Sequence, residues 1–277
     1  MGESNALNAI WGHVTELINR LKVAVAAIVV STIVVLVVPV DLTAFNLSWS
    51  NANYNTITTV VINQLRSDLL PAGVELLPLD WFSPFTTYMY VSLFIGVMIS
   101  SPIIIYEIYK YVNPALYDNE RRLIYLFVGS FSLLFFFGVA LGYFFLVPIT
   151  FKMLLGITYM LGMNPRYEFS SFFGIVLGGT MMSGLFFTFP VFFLTLVRAG
   201  ILKTKMISGA RKILYVGLFI LICIITPDPT IISDIIIFFP VVILAELSII
   251  IGRYIERKRD ESKVSPLDTA GKVSTLR

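Results

Sequence analysis

The sequence predicts an all-α polytopic membrane protein with six transmembrane helices, the last two short, and with both termini cytoplasmic. Composition is the first reason: of 277 residues, 57% are hydrophobic and only 13% charged, against roughly 45–50% apolar residues in a soluble domain. The second is segregation. Apolar runs at 23–40, 85–111, 123–147, 172–197, 213–225 and 235–251 alternate with polar intervals, and the basic residues fall in every second interval. Arg20, Lys22, Lys110, Arg121, Arg122, Arg198, Lys203, Lys205, Arg211, Lys212, Arg253, Arg257, Lys258 and Arg259 lie on one side; only Arg66, Lys152 and Arg166 lie opposite. Basic loops stay on the cytoplasmic side, which sets the orientation.

Residues 1–22 carry Leu7, Ile10, Trp11, Val14, Leu17, Ile18 and Leu21 at three- and four-residue intervals, the pattern of a helix lying on the membrane surface. The run at 23–40 follows, about 18 residues long, near the length that crosses a hydrocarbon core. It exceeds the apolar stretch of a cleaved signal peptide and has no small-residue cleavage site behind it, so it is expected to remain as span one. Residues 41–84 are rich in Asn, Thr and Ser and carry Asp41, Asp68, Glu75 and Asp80 against the single basic Arg66, as suits an outer loop. Within it Ile57, Val60, Val61, Leu65 and Leu69 mark one face of a short amphipathic helix.

Span two, 85–111, should bend at Ser100-Ser101-Pro102. Asn113-Pro114-Ala115-Leu116-Tyr117-Asp118-Asn119-Glu120-Arg121-Arg122 then punctuates the chain. Pro114 ends the preceding helix because it lacks an N–H, and Asp118 or Asn119 caps the next. Span three is expected to end at Pro148, and residues 149–170 to form a second outer loop held on the membrane by Phe151, Met153, Leu154, Leu155, Met160 and Leu161. Pro190 interrupts span four. The last two runs are too short to cross about 30 Å comfortably at 1.5 Å per residue. Residues 1–252 form one membrane domain, and 253–277 a polar tail expected to be disordered and cytoplasmic.

One cysteine, Cys223, excludes an intrachain disulfide, and His13 is the only histidine. With no Gly-x-x-x-x-Gly-Lys phosphate loop and no metal-ligand spacing, neither a nucleotide-driven pump nor a metalloenzyme is indicated, and no cofactor, metal or nucleic-acid partner is expected.

His13-Val14-Thr15-Glu16-Leu17-Ile18-Asn19-Arg20-Leu21 before span one resembles the N-terminal signature of the TatC family, the core receptor of the twin-arginine protein translocase. Ser101-Pro102 with Tyr106, then Asn113 to Tyr117 and Glu120-Arg121-Arg122, look like that family's first cytoplasmic loop. Thr226-Pro227-Asp228-Pro229, and Pro240 with Glu246, are similar to its final hairpin. The resemblance implies a multi-pass protein of the cytoplasmic membrane with no catalytic chemistry. It would bind twin-arginine signal peptides of folded precursors, assemble with TatA/TatB-like single-span proteins, self-associate in a larger complex and use the proton motive force.

By the same resemblance, Glu16 and Glu120 are the carboxylates that receive the paired arginines, with Tyr111, Arg20 and Arg121 around them. Glu246, Thr188 and Asp228 belong to a partner or cavity region, and Pro102, Pro114 and Pro240 are structural. Chemistry agrees with the carboxylates, since a guanidinium offers them two parallel charge-assisted hydrogen bonds that lysine cannot reproduce. Plainer roles compete. Glu120 also suits the positive end of span three, Glu16 also suits an i, i+4 pair with Arg20, Tyr111 also suits an interface anchor, and Glu107 is expected to pair locally with Lys110. Glu246 sits inside an apolar run, where a charge costs about 2.5–3.5 kcal/mol and needs a partner or a cavity. Ile18 and Thr188 depart from the family pattern, standing where relatives often carry arginine and glutamate; Thr188 is left to bond a backbone carbonyl. The rival is a proton-coupled small-molecule transporter using Glu246 and Glu107, disfavoured because the two halves show no internal repeat.

Overall fold

A hydrocarbon core offers the backbone no hydrogen-bond partner but itself, so long apolar runs must fold as helices. The computed structural model describes residues 2–39, 55–112, 121–198, 204, 209, 211–225 and 231–274. The elements run α1 (Gly2–Val37), α2 (Ile57–Leu69), β1 (Glu75–Leu77), α3 (Ser83–Val112), α4 (Arg121–Leu141), a π-helical turn (Gly142–Leu146), α5 (Val147–Met160), β2 (Arg166–Glu168), α6 (Phe169–Arg198), α7 (Arg211–Ile225) and α8 (Ile231–Ser274). Among the described residues, five stretches are long and apolar enough to cross a membrane: Val14–Val37, Ser83–Tyr111, Phe127–Met160, Phe169–Val197 and Asp234–Tyr254. The remaining helix, α7, has 15 residues, about 22 Å, and is short as the sequence predicts. The apolar part of α8 reaches slightly farther than 235–251, from Asp234, itself buried, to Tyr254.

α6 is the central helix. It packs against α3, α4, α5 and α8, and 56% of its most apolar window is buried, against 6% for α1 at the edge. Phe173, Val176 and Leu177 of α6 form one core with Val91, Val147, Phe151 and Leu65; Phe186 and Phe187 form another with Leu218, Ile222, Ile237 and Val241. Two seams are too tight for larger side chains. A Cβ on Gly138 of α4 would lie 2.8 Å from the Ser183 carbonyl oxygen and 2.9 Å from Gly184 Cα, and the Ser183 hydroxyl donates to the Gly138 carbonyl at 2.8 Å. A Cβ on Gly96 of α3 would lie 2.9 Å from the Thr32 amide nitrogen, beside the Ser31 hydroxyl that donates to the Gly96 carbonyl at 3.0 Å. Small residues let helix backbones approach where hydrophobic driving force between helices is absent.

Several expectations need correction. Residues 1–22 do not form a separate surface helix: α1 runs unbroken to Val37, since no glycine or proline lies between Gly12 and Pro39 to turn it. Pro148 does not end span three. The π turn closes with the Val147 N–H on the Gly142 carbonyl and widens the helix ahead of the proline ring, so α5 continues to Met160. Pro190 likewise sits inside an unbroken α6. At Pro102 the helix also continues: the carbonyl of Met98, which proline cannot serve, accepts from the Ser101 hydroxyl at 2.8 Å. α8 extends past its apolar part to Ser274. Residues 253–265 hold no glycine or proline and are rich in Glu, Arg and Lys, good helix formers, and Glu256 is tied down by the Thr204 backbone N–H at 3.1 Å and by its hydroxyl.

At the end of the bundle that carries α2, the amphipathic helix appears as predicted, burying Thr58, Leu65 and Leu69. Unforeseen from sequence, β1 and β2 pair in parallel with Glu75 opposite Arg166, an exposed ion pair at 3.0 Å. The Tyr143 hydroxyl of the π turn donates to Asp68 at 2.6 Å and holds that carboxyl below its usual range.

The α1–α3 seam leads to a prediction. Gly96→Ala should destabilise the solubilised protein by about 1–3 kcal/mol, the range for overpacking a filled interface. Thermal unfolding in one detergent measures it, and an unchanged or higher Tm would show that the seam has slack.

Candidate functional site

α1 and α3 run antiparallel, because Arg20 meets Glu107, Ser31 meets Gly96 and Leu36 meets Tyr88. Glu16 and Arg20 are four residues apart on one helix and so share a face. Arg20 sends Nε and Nη2 to Glu16 Oε1 at 3.1 and 2.5 Å, and Nη1 to Glu107 Oε2 at 3.3 Å. One guanidinium therefore clasps two carboxylates from two helices. The side chains of Arg20, Glu16 and Glu107 are 17%, 35% and 15% exposed. They line an open groove of about 710 Å³ together with Trp11, Thr15, Asn19, Val23 and Lys110, within the roughly 300–1,000 Å³ typical of binding clefts.

Within the ion-pair cluster two carboxylates share one guanidinium, while Lys110, the other cation on the groove, has its ammonium 5.9 Å from the Tyr106 ring centroid. The expected Glu107–Lys110 pair is corrected: Glu107 crosses to Arg20. Spacing along one helix offered Lys110 as the neighbour, and only the antiparallel packing of α1 brings a guanidinium closer. Chemically, the groove presents two partly desolvated carboxylates to planar cationic donors, with the exposed Trp11 at its wall.

The other residues singled out from sequence divide. Tyr111, one turn beyond Glu107 on α3, is partly buried near the same end. Glu120, Pro114 and Asp228 lie outside the described residues; Arg121 begins α4 but its side chain also lies outside them. Glu246 finds a partner within the chain: its Oε2 is 3.5 Å from Nη2 of Arg211, the first residue of α7. Arg211 was visible in the sequence as a basic loop residue, but its reach to Glu246 follows from how α7 packs on α8. Thr188 is buried and donates to the Leu185 carbonyl at 2.7 Å, the bond that its hydroxyl allows. Pro240 stands beside a second, almost wholly apolar hollow of about 220 Å³ between Phe145, Phe187 and Ile237. Among the described residues no group of His, Cys, Asp and Glu is placed to hold a metal.

The profile of the family described as Sec-independent protein translocase protein (TatC) matches residues 12–240. The Sec-independent protein translocase protein TatC of Haemophilus influenzae is 29% identical over 261 residues, covering 94% of this chain and 95% of its own. That of Aquifex aeolicus is 32% identical over 190 residues, covering 68% and 78%. A crystal structure of the twin-arginine translocase receptor TatC superposes with a TM-score of 0.70 at 26% identity, covering 88% of this chain and 99% of that one. The chain is thus a multi-pass membrane protein and a translocase component, and it belongs to the TatC family.

Proposed function

We propose that this chain is the signal-peptide receptor and core subunit of a twin-arginine translocase in the cytoplasmic membrane. It binds twin-arginine signal peptides at the groove between α1 and α3 and assembles with TatA/TatB-like single-span proteins, and with further copies of itself, to export folded proteins. The observation that carries the reading is the Glu16–Arg20–Glu107 cluster on an open groove, where Arg20 engages only one oxygen of each carboxylate. Glu120, one residue before α4, supplies a further carboxylate for the second arginine. Each charge-assisted hydrogen bond contributes about 1.5–3 kcal/mol net, while micromolar affinity needs about 8 kcal/mol. Two arginine contacts therefore need help from the peptide's apolar stretch, which the exposed flank of α1, including Leu17, Leu21 and Val25, is suited to receive. With no nucleotide motif in the chain, the proton motive force is the energy source. Glu246 with Arg211, beside the short α7, is the docking place for the single-span partners.

Glu16→Gln and Glu120→Gln should each lose about 1–3 kcal/mol of precursor affinity, and their effects should be non-additive because both act on one short motif. Replacing the precursor's arginines by lysine should cost the wild type heavily and the double variant much less. Titration of solubilised protein at fixed salt measures this, with thermal unfolding alongside. Equal losses for both precursors in every variant would mean that the carboxylates serve the fold alone.

Orientation has its own test. In a Cys223→Ser background, single cysteines at Asn53 should label from outside the cell and at Ser208 from inside. The reverse pattern would overturn the placement of the groove on the cytoplasmic side.

For the partner site, Glu246→Gln should leave precursor binding intact while changing crosslinking between α8 and a single-span partner helix. Unchanged crosslinking in a normally folded variant would reduce the Arg211–Glu246 pair to a packing contact.

A further inference from the structure

Arg20 uses only half of the acceptor capacity it holds together. Both of its contacts to Glu16 fall on Oε1, and its contact to Glu107 falls on Oε2. Among the described residues, Glu16 Oε2 and Glu107 Oε1 accept no hydrogen bond, and neither is a buried orphan; both carboxylates front the groove. An ionised carboxylate accepts through both oxygens, with about four lone-pair sites in all. The cluster thus has one free oxygen on each of two carboxylates, and the second cation on the groove, Lys110, is bonded to neither of them. A single additional guanidinium fills both free oxygens. It would close an alternating ring of two carboxylates and two guanidiniums, planar-donor in character at each cationic corner.

We propose that Glu107 is a further specificity-determining residue for the signal peptide, receiving one of its two arginines jointly with Glu16, and that Arg20 is the positioning residue that holds the two carboxylates at the spacing of one guanidinium. This rests on the receptor reading above and names the chemistry of one arginine subsite within it. Lysine fits the Glu16–Glu107 subsite poorly because an ammonium is a point charge, whereas the guanidinium fork serves two carboxylates at once. Trp11, on the groove wall, offers a ring face to the bound cation.

The test uses full-length solubilised protein and three fluorescent peptides carrying Arg-Arg, Lys-Arg or Arg-Lys at the motif. Glu107→Gln should weaken Arg-Arg binding roughly tenfold to a hundredfold, the equivalent of one lost charge-assisted contact. It should also abolish the penalty for lysine at one of the two positions while leaving the other penalty intact. Unchanged binding, or the same fractional loss for all three peptides, would overturn the proposal and leave Glu107 as a brace for Arg20. Should thermal unfolding show that Glu107→Gln does not fold, Glu107→Asp, which keeps the charge but shortens the reach, should lower affinity and keep the preference for arginine; unaltered affinity would count against the subsite. Failure of the receptor reading is separable, since then Glu16→Gln and Glu120→Gln would also bind all three peptides as wild type does.

Discussion

The structure depends on one constraint: inside hydrocarbon, each backbone carbonyl and each charge must find its partner within the protein. Side-chain hydroxyls meet part of that demand. Ser101 serves the carbonyl that Pro102 leaves free, Ser183 bridges α6 to α4, and Ser31 bridges α1 to α3. Because these bonds run between helices at positions where glycine lets backbones touch, they also set the register of one helix on another. The α1–α3 register is what carries Arg20 to Glu107.

Charges obey the same constraint in two places, and the stoichiometry differs. On α7 and α8, one arginine meets one carboxylate, and the Arg211 Nε stays buried without a hydrogen-bond partner. On α1 and α3, one arginine meets two carboxylates, each of which keeps one oxygen free beside an open groove. A pair lowers the cost of a charge near an apolar run; a carboxylate with a free oxygen also offers an acceptor to a further cation.

Proline illustrates where local rules yield to context. Pro148 and Pro190 read as breaks because the ring removes a donor and crowds the preceding turn. A π turn ahead of Pro148 opens space for the ring, and around Pro190 neighbouring helices bury Phe186, Phe187 and Val191 so that α6 has no other way to satisfy its backbone. The connections that precede α3 and α6 are a similar case. Neither has a strong strand pattern, yet β1 and β2 pair because the ends of α3 and α6 bring them together, and each leaves three residues of extended backbone in need of partners.

Sequence alone determined the class, the helices, the short α7, the amphipathic α2 and the family signature, because hydrophobic run length and charge segregation are local quantities imposed by the thickness and electrostatics of a bilayer. It also marked Glu16, Arg20 and Glu246 as the charges requiring explanation. Which charges pair was decided only by tertiary structure. Glu107 has Lys110 one turn away and Arg20 eighty-seven positions away in the chain, and the distant residue wins because antiparallel packing over the Gly96 seam delivers its guanidinium into a partly desolvated space, where a planar double donor is held more strongly than a flexible, exposed ammonium.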